Sequence, residues 1–217
     1  EQAFEDLWRQ LGLSVDWSMT YATIDERCQR IAQKAFLRNL ERGEAYQTEA
    51  PSLWDVTFRT AVAQAELEDR EQSSAYHQIK FHSSSDHGEI IIDTTRPELL
   101  PACVALVTHP DDDRYQHLLG TAAITPIFGV EVPILGHQLA DPEKGTGIAM
   151  VCTFGDTTDV TWWRELELPV RAIIDRSGRI VADAPEAITS EKGLEAFALM
   201  AGKTICSVKK EMVQLLQ

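Results

Sequence analysis

Hydrophobic positions at the N-terminal end recur with helical spacing. One such run extends from Phe4 to Leu11 and stops at Gly12, and a second extends from about Asp25 to Arg42. Glycine directly after a periodic run is typical of a helix end, and an aspartate before it is typical of a helix start. The pattern therefore predicts two helices in the first 45 residues.

The pattern changes between Ala45 and Asp183, where short alternating or β-branched runs are separated by Gly, Pro and Asp. These runs predict strands over residues 74–82, 89–95, 103–108, 121–125, 130–135 and 147–153. Two helices are predicted to interrupt them, over 111–119 and 156–166. In the second of these helices we expect Val160, Trp163 and Leu166 to face inward, and Trp162 to face outward.

Helical spacing returns at the C-terminal end, over residues 189–200 and 207–216. Many short strands with few helices between them are typical of a β-barrel or a sandwich. The chain is thus predicted to be a mixed α/β (α+β) protein, with a β-rich centre flanked by helical segments. A compact centre with helices at both ends is also how an insertion cut from a larger host would look.

Composition narrows the class of protein. The 217 residues carry 34 acidic and 20 basic side chains, a formal charge of −14, which argues against a free-standing nucleic-acid binder. A local basic patch, or help from a larger protein, stays possible. No apolar run approaches 18 residues, so we expect no membrane span.

The termini and the cysteines suggest where the protein works. The first residue is Glu1 and no signal-peptide pattern follows it, so we expect a trimmed start or a piece of a larger chain. The four cysteines are far apart, without the spacing of a zinc site. Free thiols in a reducing cytoplasm are therefore expected. The six histidines have no metal-ligand spacing either, and we expect no metal.

Two segments have the residue types of a binding site. Thr94, Thr95 and Arg96 end a predicted strand, where hydroxyls, amides and a guanidinium can meet an anionic ligand, although Arg96 can also simply pair with Glu98 or Asp93. The stretch 153–159 (TFGDTTD) leads from a buried strand into a helix. Its two aspartates can bind an ammonium or a hydroxyl and orient water, or can merely cap that helix.

These segments together resemble a known family. TTRPE at 94–98, GTG at 145–147 and TFGDTTDV at 153–160 occur in the order and spacing of the editing (connective peptide) domain of class I valyl-tRNA synthetases. Trp17–Glu26 and Trp54–Glu71 resemble segments leading into that domain. The resemblance covers roughly Trp17 to Ile180, and the ATP-site signatures of a whole synthetase are absent.

The resemblance implies a fold, a division of the chain and an activity. The core would be a β-barrel-like editing domain over residues 49–187, with helical connectors over 1–48 and 188–217. The activity would be hydrolysis of threonine wrongly esterified to valine tRNA, and of threonyl-adenylate. Valine and threonine are near-isosteric, and the hydrophobic pocket of a valyl-tRNA synthetase rejects the added hydroxyl of threonine only about 10²-fold.

Partners and cofactors follow from the same resemblance. They would be the 3′ end of tRNA(Val) carrying threonine and the rest of the synthetase, in a cytoplasmic protein that we expect to be monomeric. No cofactor is expected in this domain, whereas the parent ligase would use ATP and Mg²⁺.

Site residues are carried over only where the motifs match. Asp159 would hold the substrate ammonium, and Asp156 a hydroxyl or water; which carboxylate takes which partner stays open. The substrate-binding residues would be Thr94, Thr95, Arg96, Glu98, Met150, Cys152, Thr153 and Phe154. Water would attack the ester without a protein nucleophile.

The chain departs from the family pattern, and two other readings compete. Many bacterial members have Lys-x-Thr where Met150 and Cys152 stand, and Pro-Ala-His where 153–155 stand, so recognition of the hydroxyl is rearranged or the chain belongs to another branch. The alternatives are a leucyl- or isoleucyl-tRNA synthetase editing domain and a non-catalytic tRNA-docking module.

Overall fold

The computed structural model describes residues 1–48, 50–68, 71, 73–85 and 88–217. Glu49, at which the editing domain was predicted to begin, lies outside the described residues. So do Asp69 and Arg70 of the Trp54–Glu71 segment, and His87.

The chain divides into two compact units, Glu1–Ala50 and Pro51–Gln217. The first unit contains helices α1 (Gln2–Gln10) and α2 (Glu26–Glu41), which confirms both helices predicted there. The Asp25 carboxylate accepts a hydrogen bond from the Cys28 amide at 2.7 Å, so it caps α2 as the sequence indicated.

The second unit contains eight strands and three α-helices among the described residues. The strands are β1 (Leu53–Asp55), β2 (Thr60–Val62), β3 (His77–Ser83), β4 (Glu89–Thr94), β5 (Cys103–Thr108), β6 (Ala122–Ile124), β7 (Glu131–Gly136) and β8 (Ile148–Cys152). The helices are α3 (Thr157–Glu165), α4 (Glu191–Met200) and α5 (Ile205–Leu215). Short 3₁₀ helices lie at Gln64–Glu66, Pro97–Ala102 and Gln116–Leu118.

Six of the strands form one sheet in the order β4-β3-β6-β7-β5-β8. Neighbours are antiparallel except for β5 and β7, which are parallel. The outer strands β4 and β8 approach each other, so the sheet curls into a nearly closed barrel. The mixed α/β, barrel-like fold predicted from the sequence is thus confirmed.

The alternation along β3 shows how the sequence sets the inside of the barrel. Ile79 and Phe81 are buried while Gln78, Lys80 and His82 between them are exposed, which is the period of two expected for a strand with one solvated face. All six residues of β5 are buried, because some of its side chains pack in the barrel core and others in a second hydrophobic cluster with Trp162 and Leu168.

Three predicted details are wrong. The segment 111–119 contains turns and the short 3₁₀ helix, because the Asp112 side chain accepts from the Arg114 amide and pairs with its guanidinium at 2.6 Å. In α3 it is Trp162 that is buried, at 6% exposure, and Trp163 that is half-buried. Helix α4 begins at Glu191 and not at residue 189, because the Ser190 hydroxyl caps it by accepting from the Gly193 amide.

The small hairpin of β1 and β2 was not predicted, because its strands are three residues long and mostly exposed. At the other end of the unit, α4 and α5 pack onto the barrel. Phe197, Met200, Val208 and Met212 are buried in the same hydrophobic core as the strand residues. Within the described ranges, each helix falls short of the length and apolar character that a bilayer-spanning segment needs.

Candidate functional site

A cavity of about 320 Å³ lies where the end of β4, strand β8 and the first turns of α3 meet. This volume is at the lower end of the range for small-molecule sites. Its charged lining residues are Asp93, Arg96, Asp141, Lys144, Asp156 and Asp159. Four carboxylates against two cations favour a ligand with a positive group.

Seven of the ten residues that the sequence proposed for the site line this cavity. They are Thr94, Thr95, Arg96, Met150, Cys152, Asp156 and Asp159. The structure thereby brings the TTRPE and GDTTD segments together across the barrel seam, although 57 or more residues separate them in the chain. Their roles in binding and catalysis stay predictions.

Arg96 connects the two segments directly. Its guanidinium Nη1 donates a hydrogen bond to the carbonyl oxygen of Gly155, and its Nε lies 3.4 Å from Oε1 of the buried Glu98. The Arg96 amide also donates to the Thr94 hydroxyl at 3.0 Å. Because these bonds engage much of the guanidinium, Arg96 fixes the loop before α3 in addition to facing the cavity.

Asp156 is the N-cap of α3. Its Oδ1 accepts a hydrogen bond from the Asp159 amide at 2.8 Å, which is the usual capping geometry. The capping interpretation is therefore confirmed for this residue. Asp156 is nevertheless exposed and lines the cavity, so a ligand or water can reach its carboxylate.

Asp159 is buried, at 7% exposure, on the cavity side of α3. Its Oδ2 accepts from the Cys152 amide at 3.3 Å. Burial and, after it, the negative charge of Asp156 together raise the pKa of Asp159 from 3.8 to about 7, against the lowering effects of the Cys152 and Gly155 amides and of Arg96. A carboxylate with this pKa gains strongly from a cation brought beside it.

The glycine before the cap is required by the position of Asp159. A β-carbon on Gly155 would lie 2.5 Å from Oδ2 of Asp159 and 3.1 Å from the carbonyl oxygen of Cys152. The first distance is shorter than real β-carbons show, and the second would require the Cys152 carbonyl to shift by a few tenths of an ångström. Gly155 thus allows the strand-to-helix loop to close over the carboxylate.

The Cys152 thiol beside the cavity is not an activated nucleophile. Burial raises the pKa of the Cys152 thiol, and the neighbouring Cys103 raises it further. A thiol needs a lowered pKa to be a nucleophile near neutral pH. Cys152 therefore contributes its backbone amide and an apolar wall.

The other three proposed residues do not line the large cavity. Thr153 and Phe154 line a smaller neighbouring one of about 170 Å³, together with Arg171. The Thr153 hydroxyl accepts from the Arg171 amide at 3.0 Å and Phe154 packs edge-on against Trp163. Glu98 is buried beneath Arg96, at 3% exposure.

Sequence reasoning missed six residues of the cavity wall that carry polar groups, namely Tyr76, Asp93, Asp141, Lys144, Thr158 and Trp162. Asp93 had a signal, because it directly precedes Thr94 at the end of a strand. The inward position of Trp162 could have been predicted from the phase of α3. The cap orients Asp159 inward, and the residue three positions later lies on the same face of the helix. Asp141 and Lys144 belong to an irregular loop without a recognisable pattern.

Among the described residues, no three His, Cys, Asp or Glu side chains lie together in a way that could hold a metal ion.

Comparison with known proteins places this chain in a family. Residues 1–205 match the family model described as tRNA synthetases class I (I, L, M and V). The chain belongs to the class I tRNA synthetases. Among curated members of that family, the valine–tRNA ligase of Leifsonia xyli subsp. xyli (strain CTCB07) is 68% identical over all 217 residues, and that of Thermobifida fusca (strain YX) is 66% identical over 218 aligned positions.

The chain spans about a quarter of the length of these class I synthetases, 25% of the first and 24% of the second. Among solved structures, the one entitled "The crystal structure of GlLeuRS-CP1" overlaps 65% of this chain and 95% of its own, with 12% identity and a TM-score of 0.47.

Proposed function

We propose that this chain is the editing part of a valyl-tRNA synthetase and hydrolyses threonine wrongly esterified to tRNA(Val), and threonyl-adenylate. The observation that supports the proposal is the buried Asp159 carboxylate, in an acidic cavity built from the two motifs of the resemblance. The relatives at 66–68% identity are valine–tRNA ligases, which favours the valyl over the leucyl or isoleucyl alternative.

Asp159 binds the α-ammonium of the aminoacyl group in this proposal. Every aminoacyl ester carries that ammonium, and a desolvated carboxylate forms a strong charge-assisted hydrogen bond with it. Binding also offsets the electrostatic cost of ionising Asp159 inside the protein. The ammonium thereby anchors the ester at the first turn of α3.

Water is the nucleophile. Oδ1 of Asp156 is occupied by the Asp159 amide, so Oδ2 is left to orient a water beside the ester. The raised pKa of Cys152 removes the nearest thiol as a nucleophile. Thr94, Thr95 and Arg96 hold the terminal nucleotide against the end of β4.

The remainder of the synthetase supplies the other functions. It would ligate valine to tRNA(Val) with ATP and Mg²⁺ in the cytoplasm, and would contribute most of the surface that binds tRNA. A net charge of −14 on this chain agrees with that division, because the chain then has to hold only the aminoacylated end. We expect the chain itself to be monomeric.

The test is a deacylation assay with threonyl-tRNA(Val) and valyl-tRNA(Val). The chain is assayed as such and joined to the rest of its synthetase, in parallel with Asp159→Ala and with the control Asp175→Ala. Asp175 is an aspartate of a distant turn, where its Oδ1 accepts from Ser177 and Arg179 amides. We expect hydrolysis of the threonyl ester to exceed that of the valyl ester, and only Asp159→Ala to abolish it.

Equal and negligible hydrolysis of both esters in the joined protein would contradict the proposal. Retained binding of tRNA under those conditions would then support the alternative of a non-catalytic docking module.

A further inference from the structure

Asp93 has a buried oxygen without a hydrogen-bond partner. Its Oδ1 is inaccessible to solvent and accepts no hydrogen bond from any described residue. Leaving such an acceptor unsatisfied costs about 1–3 kcal/mol. Most buried polar atoms in native proteins are paired, so an exception in a cavity wall indicates a donor supplied from outside the chain.

The cations near Asp93 do not supply that donor. Arg96, three positions later, is directed to Gly155 and Glu98. Lys144 lines the same cavity and is exposed, and it forms no ion pair with Asp93 in the described part of the chain. Asp93 therefore differs from the capping Asp156 and from Asp159, which accepts a backbone amide.

The GTG turn fixes Asp93 in the wall. A β-carbon on Gly145 would lie 3.0 Å from Cβ of Asp93 and 3.4 Å from its Oδ2. Gly145 also has φ +59°, a conformation that glycine adopts without strain. The turn can therefore pack closely against Asp93 and limit its rotation, which favours a defined role in binding.

The opposite wall lacks side chains that bind hydroxyl groups strongly. Strand β8 presents Ile148, Ala149, Met150 and Cys152 to the cavity. A thioether is a weak acceptor and a thiol a weak hydrogen-bonding group. If Asp159 takes the ammonium and Asp156 the water, Asp93 and Asp141 remain, and of these two only Asp93 has a buried oxygen without a partner for a hydroxyl of the substrate to occupy.

We propose that Asp93 accepts a hydrogen bond from a hydroxyl of the aminoacyl-adenosine in this cavity. The hydroxyl belongs either to the threonine side chain or to the ribose beside the ester. The first source makes Asp93 the residue that distinguishes threonine from valine, because valine would leave the buried acceptor unpaired. This inference rests on the proposed function and adds a binding residue to it.

The experiment compares the wild-type chain, joined to its synthetase, with Asp93→Ala and the control Asp175→Ala. Asp175 lies outside the cavity lining, in a turn where its Oδ1 accepts from the Ser177 amide. Each protein is given three tRNA substrates. The first carries threonine, and the second carries 2-aminobutyrate, in which a hydrogen replaces the side-chain hydroxyl. The third carries threonine on a terminal nucleoside without the free ribose hydroxyl.

If Asp93 binds the threonine hydroxyl, Asp93→Ala lowers kcat/KM for the threonyl ester roughly 10–100-fold and leaves the 2-aminobutyryl ester unchanged. If Asp93 binds the ribose hydroxyl, both esters lose equally and the deoxy substrate is unaffected. Asp175→Ala changes neither ratio. Equal effects of Asp93→Ala on all three substrates, or none on any, overturn the inference.

A binding measurement keeps this test separate from the proposed function. It uses non-hydrolysable, amide-linked threonyl- and 2-aminobutyryl-adenosine and a deoxy analogue, none of which requires hydrolysis. A wild-type protein that cleaves no ester refutes hydrolysis, whereas selective weakening of one analogue by Asp93→Ala still supports the hydroxyl contact. Equal weakening of all analogues, or none, contradicts it. We expect the midpoint of thermal unfolding of Asp93→Ala to be unchanged or higher, because the variant removes an unsatisfied acceptor.

Discussion

Asp159 combines a structural cost with a chemical use. Its carboxyl is buried beside the negative Asp156, and both effects make the ionised form unfavourable in the empty protein. A ligand ammonium removes that penalty. The residue is thus suited to bind a cation and poorly suited to stabilise the fold, which is a common property of functional groups.

Asp159→Asn should stabilise the protein only at high pH. Since the folded-state pKa is about 7 and the ordinary value 3.8, the folded chain holds the proton more tightly, and its free energy of unfolding falls as pH rises between these values. We expect little change at pH 3, below both values, and a gain on the order of 2–4 kcal/mol at pH 8.5 in urea unfolding.

The matched control for this prediction is Asp183→Asn, at an exposed aspartate that does not line the cavity. An equal effect of Asp159→Asn at both pH values would mean that Asp159 does not titrate near 7 in the folded chain.

Motifs predicted many individual residues of the cavity, but not their orientation. Asp159 and Thr94 could be proposed from their segments alone. Whether Trp162 or Trp163 turns inward depends on the phase of α3, which the cap at Asp156 sets and the mixed apolar pattern of the helix does not. The orphan oxygen of Asp93 is visible only when the walls of the cavity are assembled.

Helix α3 shows how a capping residue and a site residue can coincide. The same Asp156 that begins the helix faces the cavity, so the capping and chemical interpretations are compatible. Sequence reasoning predicted this helix within one residue at each end, because cap and apolar run agree. It failed over 111–119, where side-chain hydrogen bonds of Asp112 compete with helix formation.

Substitution of Asp156 should separate these two roles. Asp156→Ala removes both cap and carboxylate, and we expect it to lower the free energy of unfolding by about 1 kcal/mol. Asp156→Ser retains a capping oxygen, so its stability should stay close to wild type. Both variants should lose at least tenfold in the rate of threonyl ester hydrolysis, because the carboxylate that orients water is absent.

Chemical denaturation and single-turnover deacylation measure the two effects on the same samples. A fully active Asp156→Ser variant would show that Asp156 serves only as a helix cap.

The architecture of the second unit depends on contacts that no local pattern contains. The strands were predictable one by one, but the parallel pairing of β5 with β7 and the approach of β4 to β8 join segments far apart in the chain. The approach of β4 to β8 brings the two motifs together. The C-terminal helices, expected to be a connector, also share the barrel core.

Truncation in α5 should therefore destabilise the barrel itself. Met212 is fully buried, and Met212→Ala is expected to cost about 2–5 kcal/mol of unfolding free energy by leaving a cavity in the core. Leu215→Ala, at a position that is 38% exposed on the same helix, should cost much less. Urea unfolding followed by tryptophan fluorescence, which Trp162 reports beside the cavity, measures both.

A Met212→Ala variant that loses helix content while the transition of the barrel stays at the wild-type urea concentration would contradict this. It would mean that α5 is a separate connector.

The most direct measurement is a crystal structure with a non-hydrolysable threonyl-adenosine bound. We expect the ligand to lie in the cavity between β4, β8 and α3, with its ammonium within about 3.2 Å of an Asp159 oxygen. The proposed function would be contradicted by a ligand bound in the neighbouring cavity beside Arg171, or by a ligand bound elsewhere that makes no contact with Asp159.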